Sequence, residues 1–499
     1  MSTAYGVTAV VLVALAAVLI GGFGIRLSRT TSDFYVASRT VSPLWNASAI
    51  GGEYLSAASF LGIAGLILTY GADMLWLPVG WTGGYLVLLV LVSAPLRRSG
   101  AYTLPDFAEA RLESMAVRRM AGVLVVLIGW LYLMPQFQSA GLVLQAITGA
   151  PDWAGGLLVA AVVAVNVMSG GMRSITFVQA FQYWLKLTAL AVPVVFLLLA
   201  WQADGAPGLS AHDTVTWALP LASGKEYSLY STYSLILATF LGTMGLPHVL
   251  VRFYTNPDGQ AARRTTLVVL SLLGAFYLLP AIYGALGRIY LPELVGSDTV
   301  VLTLPGRLIG GVLGDLLTAL VTAGAFAAFL STSSGLTVSV AGVIGQDILK
   351  GGVRSFRAAA VLAVIVPLGL AVLARSLPVA DVVGLAFAVA ASSFCPLLVL
   401  GIWWRRLTST GAMAGLLVGG GLACCAVLMT IVGEPHTGLV GALLAQPAAW
   451  TVPIAFAVMI VVSLLTPARI PAGVARTMVR LHTPETLNLD RGDWRPRSS

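Results

Sequence analysis

The chain has 499 residues, 58% of them hydrophobic and only 10% charged, with a formal net charge of +8 and a mean hydropathy of +0.91. A water-soluble domain of that composition would have to expose an enormous apolar patch, so the composition excludes one and leaves a polytopic membrane protein. The basic surplus does not imply nucleic acid, because the basic residues are scattered over short loops beside anionic lipid headgroups.

Apolar runs of about 20 residues each cross a hydrocarbon core of about 30 Å. Thirteen are read here, starting near Ala4, Pro43, Leu75, Met120, Trp153, Phe177, Ser231, Thr265, Leu308, Phe356, Val379, Ser409 and Pro447. The expected fold is therefore all-α, with about 13 transmembrane helices. The first run has no basic start and no small-residue cleavage site, and Arg26 and Arg29 follow it, so it reads as a retained helix rather than a cleaved signal. Positive-inside counting orients the set. With the amino terminus outside, 23 of the 28 Lys and Arg residues lie on the inner side, Arg252, Arg263 and Arg264 among them. Lys225, Arg288, Arg307 and Arg375 lie outside, and Lys186 sits within a span. This layout puts the carboxyl-terminal tail in the cytoplasm of a cell-membrane protein.

Between spans, Thr103 to Arg119 has mixed charge and reads as a cytoplasmic amphipathic connector outside any site. The longest outer loop, about 202–230, and the tail, 467–499, are polar, proline-bearing and expected to be mostly irregular. The three cysteines, Cys395, Cys424 and Cys425, all lie in apolar runs and read as small packing residues.

Two spans are irregular. Gly51, Gly52 and Glu53 in GGEYLSAASFLG are expected to break the second span in mid-membrane; Gly242, Gly245 and Pro247 in FLGTMGLPHVLVRF do the same in the seventh, beside the titratable His248. Irregular backbone at that depth is tolerated only where it faces protein or a water-filled cavity, and such breaks mark transport sites. Five spans separate the two starts, which suits two five-helix repeats of inverted topology. In the ninth span, Ser331 and Thr332 place adjacent hydroxyls deep in the membrane. Hydroxyls and freed carbonyls there can strip water from a small hard cation.

Several of these stretches resemble the sodium:solute symporter family. Arg406, Gly411, Ala412, Gly415 and Gly419 within GIWWRRLTSTGAMAGLLVGGG are similar to its second signature, and GLPHVLVRF (245–253) and STSSG (331–335) look like further hallmarks. GGEYLSAASFLGIAG together with GLAFAVAASSFCPLLVL is similar to the cation/acetate and monocarboxylate branch. The resemblance covers roughly residues 1–466. It implies a transmembrane symporter domain over that range, with a leucine-transporter-type 5+5 inverted-repeat core at 43–402, an extra first helix at 4–26 and two peripheral helices at 409–466. It also implies a Na+ site formed by the carbonyls of Gly52, Leu55 and Ala328 and the hydroxyls of Ser331 and Thr332. Five neutral oxygens from two elements suit a hard monovalent ion. Na+ would be a coupling ion; no cofactor is expected, and no obligate protein partner is evident.

The substrate cavity is expected between the two broken helices. There the amides around Gly242, Thr243 and Gly245 would receive a carboxylate, with further hydrogen bonds from Ser56, Ser59 and Gln136 and with His248 against the substrate. Glu53 and His248 are candidates for a proton relay, although a carboxyl at mid-depth, which costs roughly 2.5–3.5 kcal/mol to insert, has a paired structural role as its other reading. Lys186 has a stem long enough to snorkel and is not assigned to the site. The expected function is import of an acetate- or propionate-like monocarboxylate with Na+. The alternatives are proton coupling, or Na+ symport of proline or another small solute. An enzyme is not expected, since only four histidines exist and His212, His436 and His482 fall outside the spans.

Overall fold

The computed structural model describes residues 3–25, 37, 41–221, 226–294, 296–349, 352–373, 378–433, 436–485 and 487. The loop residues Arg26, Arg29, Arg39, Lys225, Lys350 and Arg375 lie outside them. Among the described residues every regular element is helical. Ten helical stretches are long and apolar enough to cross a membrane, and one bent pair makes an eleventh span.

Helix α1 (Thr3–Ile25) precedes the first broken span. That span comprises α2 (Pro43–Tyr54), a π-helical turn at Ala58–Gly62 and α3 (Ile63–Tyr70). Gly71, at φ +69°, takes a backbone conformation closed to most side chains and ends it. The next span follows as α4 (Trp76–Val87) and α5 (Ser93–Ser99). A short α6 (Leu104–Leu112) leads into α7 (Met115–Thr148). The 52 residues of α8 (Asp152–Ala203) contain one non-helical residue, Gly171 at φ 55°. A helix of that length would run about 78 Å, over twice the hydrocarbon core, so Gly171 divides two spans. Divided at Gly71 and Gly171, the eleven spans become the thirteen expected.

After α9 (Ala211–Thr216), the second broken span is α10 (Ser228–Gly245) and α11 (Pro247–Phe253), bent by 42°. Then come α12 (Gly259–Tyr290), α13 (Val300–Leu308) and α14 (Gly311–Val343), whose side chains are buried continuously from Val321 to Val343. Helices α15 (Val353–Leu373) and α16 (Val379–Trp403) follow. After them come α17 (Ser409–Gly415), α18 (Gly421–Val432), α19 (Gly438–Ala445) and α20 (Ala448–Leu465). Helix α14 packs on α8, α7 and α2, while α10 packs between α4 and α16. The two broken spans and α14 thus converge on one buried centre.

Three connecting segments are more ordered than their composition implied. The outer loop carries α9, capped by Ser210 and tied to the end of α12 by an Asp213–Arg288 ion pair. In the tail, α21 (Val474–His482) buries Met478 and Leu481 against α5 and α6. Helix α6 is almost wholly buried rather than amphipathic. Thr103 and Asp106 form its capping box, and Arg118 binds Asp106 at 2.8 Å, Asp347 at 2.7 Å and Glu109. Its two acids thus share Arg118, and its Arg111 donates to the carbonyls of Gly401 at 2.6 Å and Trp404 at 2.9 Å, which makes their burial tolerable.

Candidate ion and solute site

The first break falls at Leu55–Ser56, after α2 has run through Gly51, Gly52 and Glu53 to Tyr54. The glycines expected to break the helix serve instead as contact surfaces. A Cβ at Gly52 would lie 2.1 Å from the Gln179 carbonyl oxygen, and one at Gly51 would lie 2.8 Å from the Tyr183 ring. The break frees the Ala57 amide, which donates to Gln136 Oε1 at 3.0 Å. It also frees the Gly52 and Leu55 carbonyls. Ser56 is buried at the break, while the hydroxyls of Ser59 and Tyr277 bond each other at 3.1 Å.

The second break is at Leu246. Gly242, Thr243 and Gly245 lie inside α10 at its carbonyl end, so their amides are spent within the helix and do not face a substrate. The expectation that they receive a carboxylate is corrected accordingly; a half-helix offers its free amides at its start, which here is after Leu246. Gly242 and Gly245 instead let α10 approach α16, since a Cβ on either would sit 2.5 Å from Phe387 O or 2.4 Å from Ala390 O. The Thr243 hydroxyl donates to Thr239 O at 2.7 Å and accepts from Tyr54 OH at 2.7 Å, joining the two broken spans.

Three of the five oxygens expected to hold Na+, those of Gly52, Leu55 and Ser331, meet the side chain of Lys186, from the second half of α8. Lys186 is fully buried. Its Nζ donates to Gly52 O, to Leu55 O at 2.7 Å and to Ser331 Oγ at 2.9 Å. The Ser331 hydroxyl spends its own proton on Ala328 O at 3.1 Å, and the Thr332 hydroxyl donates to Glu53 O at 2.6 Å. The lysine does not snorkel, because three acceptors hold its head in the interior.

Glu53 is paired. Arg252, which loop counting placed at the inner surface, is buried on α11 and reaches Glu53 Oε2 through Nε at 2.7 Å. It also donates to Thr176 Oγ1 at 2.8 Å and to Gln179 Oε1, and Gln179 Nε2 donates to Ser331 O at 2.7 Å. Gly335 leaves room for the carboxylate, since a Cβ there would lie 2.0 Å from Glu53 Cδ. The sequence carried one signal for this network, a Glu, a Lys and an Arg in or beside apolar runs, without the depth that tells a loop charge from a buried one.

A ring of aromatic side chains lies between the broken spans. Phe387 is the hub, 5.6 Å from Trp81, 5.9 Å from Tyr132 and 6.2 Å from Tyr54. Tyr85 stacks edge-on to Tyr54 at 4.9 Å, and His248 to Tyr132 at 5.3 Å. Trp81 Nε1, Tyr85 OH and both ring nitrogens of His248 are buried without a hydrogen-bond partner. Apart from His248, none of these members was read from the sequence, where each is one more apolar residue in a span.

The sodium:solute symporter family profile matches residues 34–419. The chain belongs to the sodium:solute symporter family. It is 33% identical over 416 residues to the uncharacterized symporter YwcA of Bacillus subtilis, covering 80% of each chain. It is 32% identical over 439 residues to a monocarboxylic acid transporter of Corynebacterium glutamicum, covering 79% of this chain and 78% of that one. Among solved structures it resembles a Na+-coupled sialic acid symporter in a substrate-bound outward-open state, with TM-score 0.71, 14% identity, and 93% and 97% of the two chains covered. It also resembles the nucleobase-cation symporter Mhp1, with TM-score 0.61, 13% identity and 91% and 99% coverage. These two likenesses give the symporter the leucine-transporter-type fold, and the chain is a multi-pass membrane protein of a transporter family. The family's name implies Na+, yet three of the five expected ligand oxygens are already engaged by the Lys186 amine.

Proposed function

We propose that this symporter imports a small monocarboxylate, acetate- or propionate-like, by alternating access and together with a cation, its amino terminus outside and its tail in the cytoplasm. The observation that carries the reading is the set of buried, unpartnered polar groups on Trp81, Tyr85 and His248 within the aromatic ring around Phe387. An unpaired buried donor costs about 1–3 kcal/mol, a penalty a carboxylate would relieve, and the aromatic walls suit a short apolar chain rather than a polar solute. The name of the Corynebacterium glutamicum relative supports the same class. Coupling follows from electrostatics. A charge crossing the membrane potential gains or loses about 2.3 kcal/mol per 100 mV, so a monoanion entering a negative interior needs a cation beside it.

Two cations fit. The family name and the likeness to a Na+-coupled sialic acid symporter favour Na+. The occupied oxygen cage favours a proton. Counter-flow of labelled acetate in proteoliposomes, with sodium and pH varied independently, tests the proposal. Acetate exchange that propionate competes and proline does not is the expected result; absence of acetate exchange under every ionic condition refutes it.

A further inference from the structure

We infer that the Lys186 ammonium is the resident cation of the oxygen cage between α2, α8 and α14, and that this symporter therefore binds no Na+ at Gly52, Leu55 and Ser331. Its meaning for transport rests on the symporter reading, while its basis is geometric.

Three acceptors surround Nζ, and the direction of each hydrogen bond is fixed. The Gly52 and Leu55 oxygens are carbonyls, which accept only. Ser331 Oγ has already given its proton to Ala328 O, so toward Lys186 it too accepts. Three acceptors on one nitrogen require three N–H bonds, the complement of an ammonium and one more than a neutral amine carries. The head group is thus a compact monovalent cation with its hydration shell replaced by two carbonyls and a hydroxyl. That is the coordination chemistry of the dehydrated alkali ion expected from the sequence, delivered on a tether.

The charge count is the same for either cation. The other ionised members of the cluster, Glu53 and Arg252, neutralise each other across 2.7 Å. One monovalent cation in the cage then leaves the buried cluster at +1, whether that cation is Na+ or the ammonium. Adding Na+ while the ammonium stays would bring a second positive charge into the same three oxygens, with no second carboxylate among the described residues lining it. The two cations exclude each other.

The consequence for transport is direct. A tethered ammonium holds the unwound start of the core against α14 but cannot leave with the substrate, so it moves no charge across the membrane. The ion that accompanies the carboxylate is not carried in this cage.

The test uses the full-length protein, purified in detergent and reconstituted, as wild type and as Lys186→Ala, with NaCl exchanged for choline chloride at fixed pH and ionic strength. The wild type should show the same thermal unfolding midpoint in both salts, and its acetate counter-flow should be unchanged when sodium is withdrawn. Lys186→Ala empties the cage and should gain a stabilisation specific to Na+ over choline; with the ion at about ten times its dissociation constant, mass action raises the folded-to-unfolded ratio roughly tenfold. A Na+-specific stabilisation of the wild type, or an absolute Na+ requirement for its counter-flow, overturns the inference. A Lys186→Ala protein that elutes as the wild type on gel filtration yet ignores Na+ also overturns it, because the oxygens then do not form a cation cage. Should the alanine variant not fold, the wild-type arms decide by themselves. If no carboxylate is transported, the substrate reading fails while the salt dependence of unfolding still judges Lys186.

Discussion

Arg252 and Arg263 lie eleven residues apart and look alike in the sequence, but the structure assigns them very different costs of removal. Arg263 is exposed in the first turns of α12. Arg252 is buried, with its guanidinium shared among Glu53, Thr176 and Gln179. Replacing it with Met keeps most of the stem volume but strips the Glu53 carboxylate of its hydrogen-bonded countercharge and leaves two polar side chains without that donor. Breaking one partner out of a buried pair costs about 3–5 kcal/mol, which lowers the folded-to-unfolded ratio by roughly 10² to 10⁴. Arg263→Met should stay within about 0.5 kcal/mol of the wild type. The assay is denaturant unfolding in mixed micelles, run as a cycle with Glu53→Gln and with the double variant. Because the double variant removes both charges together, it should be much less unstable than the sum of the singles. Equal losses for Arg252→Met and Arg263→Met, or strict additivity in the cycle, would refute the buried-pair account.

Two further outcomes follow from the same geometry. Tyr85→Phe deletes one unpartnered hydroxyl beside the aromatic ring, and since a hydrogen bond to a charged group contributes about 1.5–3 kcal/mol, the KM for acetate should rise about tenfold or more with protein yield unchanged; an unaltered KM removes Tyr85 from the substrate site. Outside the spans, burial pushes the Asp106 carboxyl from its ordinary 3.8 up to about 6, desolvation outweighing the nearby Arg118. An acid held above its unfolded value contributes its stability at low pH and loses that contribution as pH rises from about 4 through about 6. The stability of the wild type relative to Asp106→Asn, which keeps an acceptor for the Thr103 amide, should therefore decline over that window when followed by thermal unfolding. A rise over the same window would mean that Arg118 dominates.

What was legible in the sequence is what hydropathy and backbone chemistry encode one residue at a time. The span starts emerge from apolar run length, and the second break from Gly245 and Pro247, since proline cannot continue the helix it follows. The first break is displaced to Leu55–Ser56 because Gly51 and Gly52 are held helical by close packing against Tyr183 and Gln179, a tertiary cause that propensity does not register. Arg252 was misplaced for a related reason: positive-inside counting assigns any arginine near a span end to the loop, whereas the bend at Leu246 brings α11 to the centre of the molecule. Lys186 failed in the opposite sense. Its buried position was visible, but whether a four-carbon stem snorkels or anchors depends on which oxygens lie within its reach, and those come from α2 and α14. The helix in the tail was the nearest miss, for Val474, Met478 and Leu481 fall at helical spacing on one side of VARTMVRLH.

The position of Lys186 also accounts for the break itself. Unwinding a helix within the bilayer releases amides and carbonyls whose desolvation without a partner costs several kcal/mol, so an unwound segment persists only where something bonds to them. At Leu55–Ser56 the freed Ala57 amide is satisfied by Gln136 Oε1, and the freed carbonyls by a single ammonium, with Gly52 O and Leu55 O both directed at Nζ. A mobile ion satisfies such carbonyls only while bound, which ties the conformation of the break to the ion's concentration. An amine on α8 satisfies them whenever α8, α2 and α14 are together, and releases them only if those helices separate. The tethered cation thereby converts a condition on the medium into a condition on helix packing, and any gradient that drives transport must act on that packing through another site.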